Sequence, residues 1–157
     1  MSQPETLIEH ILSRYHDVHR RQLPDLVQLA QKVEASHSGH PDLPTGLSLF
    51  LEDMAQELLS HMAKEEMVLF PLMCSPRRTL AWQPIQVMRS EHTSHADNLV
   101  QLATMTGQMV PPADASEAWQ ALYAGLRELH DDLQQHIQLE NDELFPSFEP
   151  PIAGPAA

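Results

Sequence analysis

The chain has 157 residues, enough for one domain with a hydrophobic core and little more. Twenty-two acidic residues against nine basic ones give a formal charge of -13, which argues against nonspecific binding to nucleic acid or to an anionic membrane. The single cysteine, Cys74, excludes an intramolecular disulfide and any Cys-rich zinc site.

In chain order, the first residues, Met1-Ser2-Gln3-Pro4-Glu5, lack the basic and apolar regions of a signal peptide. No apolar run approaches the roughly 20 residues of a membrane span, so the expected location is the cytoplasm. Turn-forming strings then divide the chain into four long segments, 4–37, 44–74, 79–109 and 114–145. The separators are Ser38-Gly39-His40-Pro41, Ser75-Pro76-Arg77-Arg78 and Pro111-Pro112-Ala113-Asp114. All four segments read as helices. Leu47, Leu51, Met54 and Leu58 form an apolar stripe in the second, and Trp119, Leu122, Leu126, Leu129 and Leu133 form one in the fourth. Pro24 should bend or divide the first helix, because proline removes a backbone donor and clashes with the preceding turn. Pro84 is expected near the start of the third. Cys74 is expected to pack near a helix end. Residues 1–146 therefore form one domain in this reading, and 147–157, proline-rich and without periodicity, a flexible tail.

The second segment carries Glu57-Leu58-x2-His61-x3-Glu65-x3-Leu69-Phe70-Pro71. The fourth repeats it 75 residues later as Asp132-Leu133-x2-His136-x3-Glu140-x3-Leu144-Phe145-Pro146. Positions i, i+4 and i+8 share one helical face, so each copy offers an imidazole and carboxylates together. That donor set suits iron, zinc or manganese. His16 and His92, 76 residues apart, extend the duplication to a pair of helical hairpins.

Residues equidistant from a hairpin turn lie side by side. The midpoints of His16 and His61, His61 and His92, and His92 and His136 all fall within the turn strings. Four imidazoles thus reach one level of an all-α, antiparallel up-down-up-down four-helix bundle, where metal sites are commonly built. Four imidazoles with Glu65 and Glu140 exceed one tetrahedral zinc site, which takes four ligands. Two irons fit better: with both glutamates bridging, each has four protein donors and keeps an open position for a diatomic molecule.

These residues resemble the haemerythrin-like di-iron bundles and, among them, the iron-centre repair proteins of nitrosative and oxidative stress. The likeness spans about 5–146. It is carried by Arg14-Tyr15-His16, Gln22-Leu23-Pro24, Lys32-Val33-Glu34, Glu57 through Met62, Lys64-Glu65-Glu66, Ser90-Glu91-His92 and Asp132 through Asn141. The resemblance implies iron ligands at His16, His61, Glu65, His92, His136 and Glu140. It also implies two iron ions, oxo- or hydroxo-bridged when oxidised, and a polar access route lined by Glu57 and Glu91. Full-length repair proteins of this kind carry an additional N-terminal domain with paired cysteines, whereas this chain begins almost at the bundle. The resemblance to short members therefore implies capture or sensing of nitric oxide. Repair of damaged iron–sulfur or di-iron centres, by iron donation or low-turnover nitric oxide reduction, is the alternative. An oxygen carrier or sensor is a third reading, disfavoured because haemerythrins proper place five histidines at the metals.

Glu57, Glu91 and Asp132 read either as acceptors that fix the tautomer of a ligating imidazole or as solvated helix charges. Tyr15 reads as a core aromatic. His19 and His95 follow His16 and His92 at i+3, with a hydrogen-bonding or surface role expected. His37 lies 21 residues beyond His16, about 31 Å along an unbroken helix, too far to join the same site.

Overall fold

The computed structural model describes residues 2–150, and among these the chain is all helical. Ser2 opens the first rod with a capping box: its side chain accepts from the Glu5 amide while the Glu5 carboxylate accepts from the Ser2 amide. This rod, α1 (residues 3–36), comprises Gln3–Ile11, a π-type turn Leu12–His16 and Asp17–Ser36. The helix runs unbroken across Pro24, so proline does not divide it as one of the two expected outcomes required. Burial of Leu23, Leu26, Ala30 and Val33 on either side compensates the lost backbone bond.

Rod α2 (residues 47–73) joins Leu47–Lys64, a π-type turn Glu65–Leu69 and Phe70–Met73. It starts three residues later than the sequence indicates because Gly46 is left-handed, with φ 88°. Rod α3 (residues 78–105) is the 3-10 turn Arg78–Ala81 followed by Trp82–Met105. Pro84 sits in the first turn of that longer helix, where its missing donor costs nothing. The rod ends at Met105 rather than 109 because Gly107, Gln108 and Met109 all take positive φ. Rod α4 (residues 117–148) joins Glu117–Leu139, a π-type turn Glu140–Leu144 and the 3-10 turn Phe145–Phe148. Ser116 caps it by accepting from the Trp119 amide.

The rods form an antiparallel four-helix bundle, in which α1 packs on both α2 and α4 and α2 packs on α3. Two apolar clusters fill it. The larger includes Leu23, Val33, Leu51, Leu58, Leu99, Trp119, Leu126 and Leu133. The smaller, at the other end, includes Ile11, Leu69, Phe70, Ile85, Leu144 and Phe145. Between them lies a layer of buried polar side chains. Packing continues past residue 146: Phe148 is buried and Glu149 pairs with Arg89 at 2.6 Å. The rest of the expected tail, 151–157, lies outside the described residues. Cys74 closes α2 but is exposed, so it does not pack as a buried hydrophobe. No helix among the described residues is long and apolar enough to cross a membrane.

Candidate metal centre

The three π-type turns all begin or end at the polar layer. Their i→i+5 hydrogen bonds run from the Asp17 amide to Leu12, from Phe70 to Glu65 and from Phe145 to Glu140. Each adds a residue relative to α-helical winding, a device often found at functional sites. Pro71 and Pro146 each stand one residue beyond such a turn, after Phe70 and Phe145. Without an amide N–H they make no demand on the carbonyls that the turn leaves behind. The Leu-Phe-Pro string thus marks where the helix changes winding, a meaning its sequence pattern alone did not reveal.

Six side chains meet in the polar layer, each essentially inaccessible to solvent: His16, His61, Glu65, His92, His136 and Glu140. They form two groups. One donor atom from each of His16, Glu65, His136 and Glu140 lies within 4.8 Å of the others, and the same holds for His61, Glu65, His92 and Glu140. Both groups share both glutamates. Glu65 Oε1 lies 3.1 Å from His16 Nε2 and 3.4 Å from His61 Nε2, facing one imidazole of each group. Glu140 divides its oxygens, with Oε1 2.9 Å from His92 Nε2 and Oε2 3.0 Å from His136 Nε2.

Outer partners set the tautomers. His16 donates from Nδ1 to Glu66 at 2.6 Å, and Glu66 is held by two hydrogen bonds from Arg20. His61 donates from Nδ1 to Glu91 at 3.0 Å, and Glu91 also accepts from Lys64. A carboxylate only accepts, so both rings carry their proton on Nδ1 and turn an Nε2 lone pair inward. His92 Nδ1 faces the Asn141 carbonyl oxygen at 2.8 Å, and His136 Nδ1 faces His19 Nε2 at 3.1 Å. Ring faces complete the support: Phe70 stacks on His16, Phe145 on His92 and Tyr15 on His136.

The electrostatics call for a cation. His61 Nε2 and His92 Nε2 are 3.1 Å apart, and with Glu91 and the Asn141 oxygen accepting at the outer nitrogens, both turn a lone pair inward. Glu65 Oε2 and Glu140 Oε1 are buried and accept no hydrogen bond. Burial, then the charge of Glu140, pushes Glu65 well above the usual carboxylate range. Burial opposes ionisation of Glu140 too, but His136, followed by His61 and His92 facing its oxygens, outweighs it and holds this carboxyl low. Burial likewise lowers His16 to about 4. Converging lone pairs and two buried carboxylates are unfavourable alone, and positive charge at their centre relieves both. Imidazole and carboxylate donors in these numbers suit iron, zinc or manganese.

Of the outer residues singled out in the sequence, Glu91 touches His61 directly. Glu57 does not: it is exposed and accepts from Asn98 at 2.9 Å, a solvated charge rather than an imidazole acceptor. Asp132 is buried but touches Arg14 and Gln22, not a histidine. His19 and His95 are both buried, so neither takes a surface role. Burial lowers them to about 4 and about 3. His37 lies at the far end of the larger cluster, donating to the Val33 carbonyl with its ring edge-on to Trp119. Glu66, Asn141, Gln22 and the two phenylalanines were missed as supporting residues. The duplication held the signal for four of them, since Phe70 and Phe145 are repeat partners, as are Glu66 and Asn141.

Known proteins resemble this chain over most of its length. The family model described as the Hemerythrin HHE cation binding domain matches residues 7–148. The chain is 48% identical over 140 residues to the iron-sulfur cluster repair protein YtfE of Cronobacter sakazakii, covering 89% of this chain and 63% of that protein. It is 46% identical to proteins of the same name from Enterobacter sp. strain 638 and Escherichia coli O1:K1, again over 140 residues, covering 89% of this chain and 64% of each. The chain thus spans a little under two thirds of the length of these relatives. With the family match extending over nearly the whole bundle and the buried histidines and glutamates at its centre, the chain belongs to the hemerythrin HHE cation-binding family.

Proposed function

We propose that the two donor groups would hold two iron ions, with Glu65 and Glu140 serving both positions, and that the protein acts in repair of damaged iron–sulfur clusters. The observation that carries the metal assignment is the sharing of both glutamates between two groups of four donors. His16 and His136 complete one position; His61 and His92 complete the other. Iron at these positions supplies a redox-active Lewis acid whose unfilled coordination sites accept a small ligand. The assignment to cluster repair is supported by the relatives named for that role. Damaged iron–sulfur proteins are then the partners.

Nitric oxide as a ligand of the same centre is the second reading. Four protein donors per position, against the six of octahedral iron, favour it. It is compatible with repair, because clusters damaged by nitric oxide require both its removal and a supply of iron.

Protein purified without oxygen tests both. The expected result is two irons per chain, recovery of activity when a nitric-oxide-damaged [4Fe–4S] dehydratase is mixed with the loaded protein, and new visible absorption on anaerobic addition of nitric oxide. One cation per chain overturns the dinuclear assignment. Failure of the dehydratase to recover overturns repair, and an unchanged spectrum overturns nitric oxide binding.

A further inference from the structure

The two halves of the duplication support their imidazoles unequally. Gln22 and Asn98 are repeat partners, as are Asp132 and Glu57, and in both halves the amide donates to the carboxylate: Gln22 to Asp132 at 3.1 Å and Asn98 to Glu57 at 2.9 Å. Only the first pair continues inward. Gln22 Oε1 faces His19 Nδ1 at 3.3 Å, His19 Nε2 faces His136 Nδ1 at 3.1 Å, and His136 Nε2 faces Glu140 at 3.0 Å. In the other half His95, the partner of His19, is buried with its Nδ1 unpaired. His61 turns instead to Glu91.

Direction is forced along the complete chain. Asp132, ion-paired with Arg14 at 2.9 Å, only accepts, so the Gln22 NH2 group faces it and the Gln22 oxygen faces inward. His19 must then carry its proton on Nδ1 and accept at Nε2. His136 therefore donates from Nδ1 and aims an Nε2 lone pair into the centre.

We infer that Asp132, Gln22 and His19 are positioning residues that fix the tautomer and ring orientation of His136, and so selectively secure the metal position formed with His16. The inference rests on the dinuclear reading above. It assigns no supporting part to Asn98, whose amide stops at an exposed carboxylate.

Anaerobic calorimetric titration of the metal-free protein with ferrous iron tests it, alongside Gln22→Met, which preserves length but removes the amide. The expected result is a loss of about tenfold or more in affinity for one of two resolved equivalents, the other unchanged. Mössbauer spectra of the loaded variant should show one iron environment altered and one retained. Asn98→Leu should change neither equivalent. Unchanged affinities in Gln22→Met, or equal weakening of both equivalents, overturns the inference. Should circular dichroism show Gln22→Met unfolded, Asp132→Asn removes the imposed direction while preserving shape. It should weaken that same equivalent, and no change would overturn the inference. A wild-type protein taking up only one equivalent overturns the dinuclear reading itself, an outcome distinct from any result with the variants.

Discussion

Glu66 and Asn141 hold matching places in the two repeats, 75 residues apart, and each takes the outer nitrogen of an imidazole: Glu66 from His16 at 2.6 Å and Asn141 from His92 at 2.8 Å. One acceptor is charged and the other neutral. The opposite imbalance occurs one helix away, where Glu91 receives the His61 proton while its repeat partner, Tyr15, stacks on His136. Each donor group consequently has one imidazole backed by a carboxylate and one backed by a neutral group. Both carboxylates carry cations of their own, Arg20 on Glu66 and Lys64 on Glu91. The duplication has diverged in position but kept the charge of each half-site equal.

Glu66→Gln should therefore weaken metal binding at the position formed by His16 and His136 by about 10- to 100-fold while leaving the other position intact. Folding of the metal-free protein should change by no more than about 1 kcal/mol, because the Glu66–Arg20 pair is partly exposed and screened. Stepwise metal titration and thermal melts of the metal-free variant measure the two effects separately. Equal loss at both positions would contradict a one-sided role.

Glu65→Leu should show opposite signs for binding and stability. Because Glu65 belongs to both donor groups, its loss should abolish stoichiometric binding at both positions. In the metal-free protein, however, Glu65 is buried against Glu140 and has an unpaired oxygen. An apolar replacement removes a buried carboxyl with an unsatisfied oxygen and its repulsion from Glu140, and should raise metal-free stability by about 1–3 kcal/mol. Metal analysis with denaturant melts checks both signs. A destabilised metal-free variant would mean that Glu65 is satisfied without a cation.

Much of this centre was legible because it depends on spacing. The repeated His-x3-Glu strings put each pair on one face, and the turn positions brought four imidazoles to one level. What stayed hidden depends on winding and side-chain reach. The π-type turns at Leu12–His16, Glu65–Leu69 and Glu140–Leu144 leave the apolar stripes in place, so periodicity over the whole rod does not expose them. Glu57 and Asp132 hold equivalent places in the repeat, but the bond of Glu57 to Asn98 keeps it on the exposed face, whereas Asp132 is buried beneath Arg14 and Gln22. Short-range composition does not distinguish the two outcomes. Helix ends were displaced by one to four residues where a backbone conformation, such as left-handed Gly46 or extended Ser116, overrode residue preference.

Metal-free stability should rise with pH between about 4.5 and 6.5. His16 and His19 are held near about 4 and His95 near about 3 by burial, below the ordinary value of 6.5. In this window the unfolded chain protonates all three and the folded one does not, so acid favours unfolding. Glu65 runs the other way, because its raised folded value lets the native state keep a proton that the unfolded chain releases. Three groups against one leave a net slope of at most about 2.7 kcal/mol per pH unit, lost stability accumulating as pH falls. Denaturant melts at a series of pH values give the slope, and a flat profile would show that these histidines charge without unfolding.

The turn joining α3 to α4 offers a test of stability independent of metal. Gly107, Gln108 and Met109 are successive left-handed residues with φ of 57°, 63° and 58°, and Arg127 donates to the Met109 carbonyl. Gln108 is exposed, so its side chain gives no packing to offset the strain of that backbone region. Gln108→Gly removes about 1–2 kcal/mol of strain but adds about 0.5–1 kcal/mol of unfolded-chain entropy, leaving a net gain of up to about 1.5 kcal/mol. Arg127→Ala strips a charged donor from that carbonyl and should cost about 1.5–3 kcal/mol. Ser116, at the turn, is about 30 Å along the rod from His136, and Arg127 is about 13 Å from it with its side chain directed to the turn, so both variants should keep the wild-type metal content. Thermal melts and metal analysis of the same preparations check this separation. A change in metal uptake would mean that the turn governs the register of α4 at the centre.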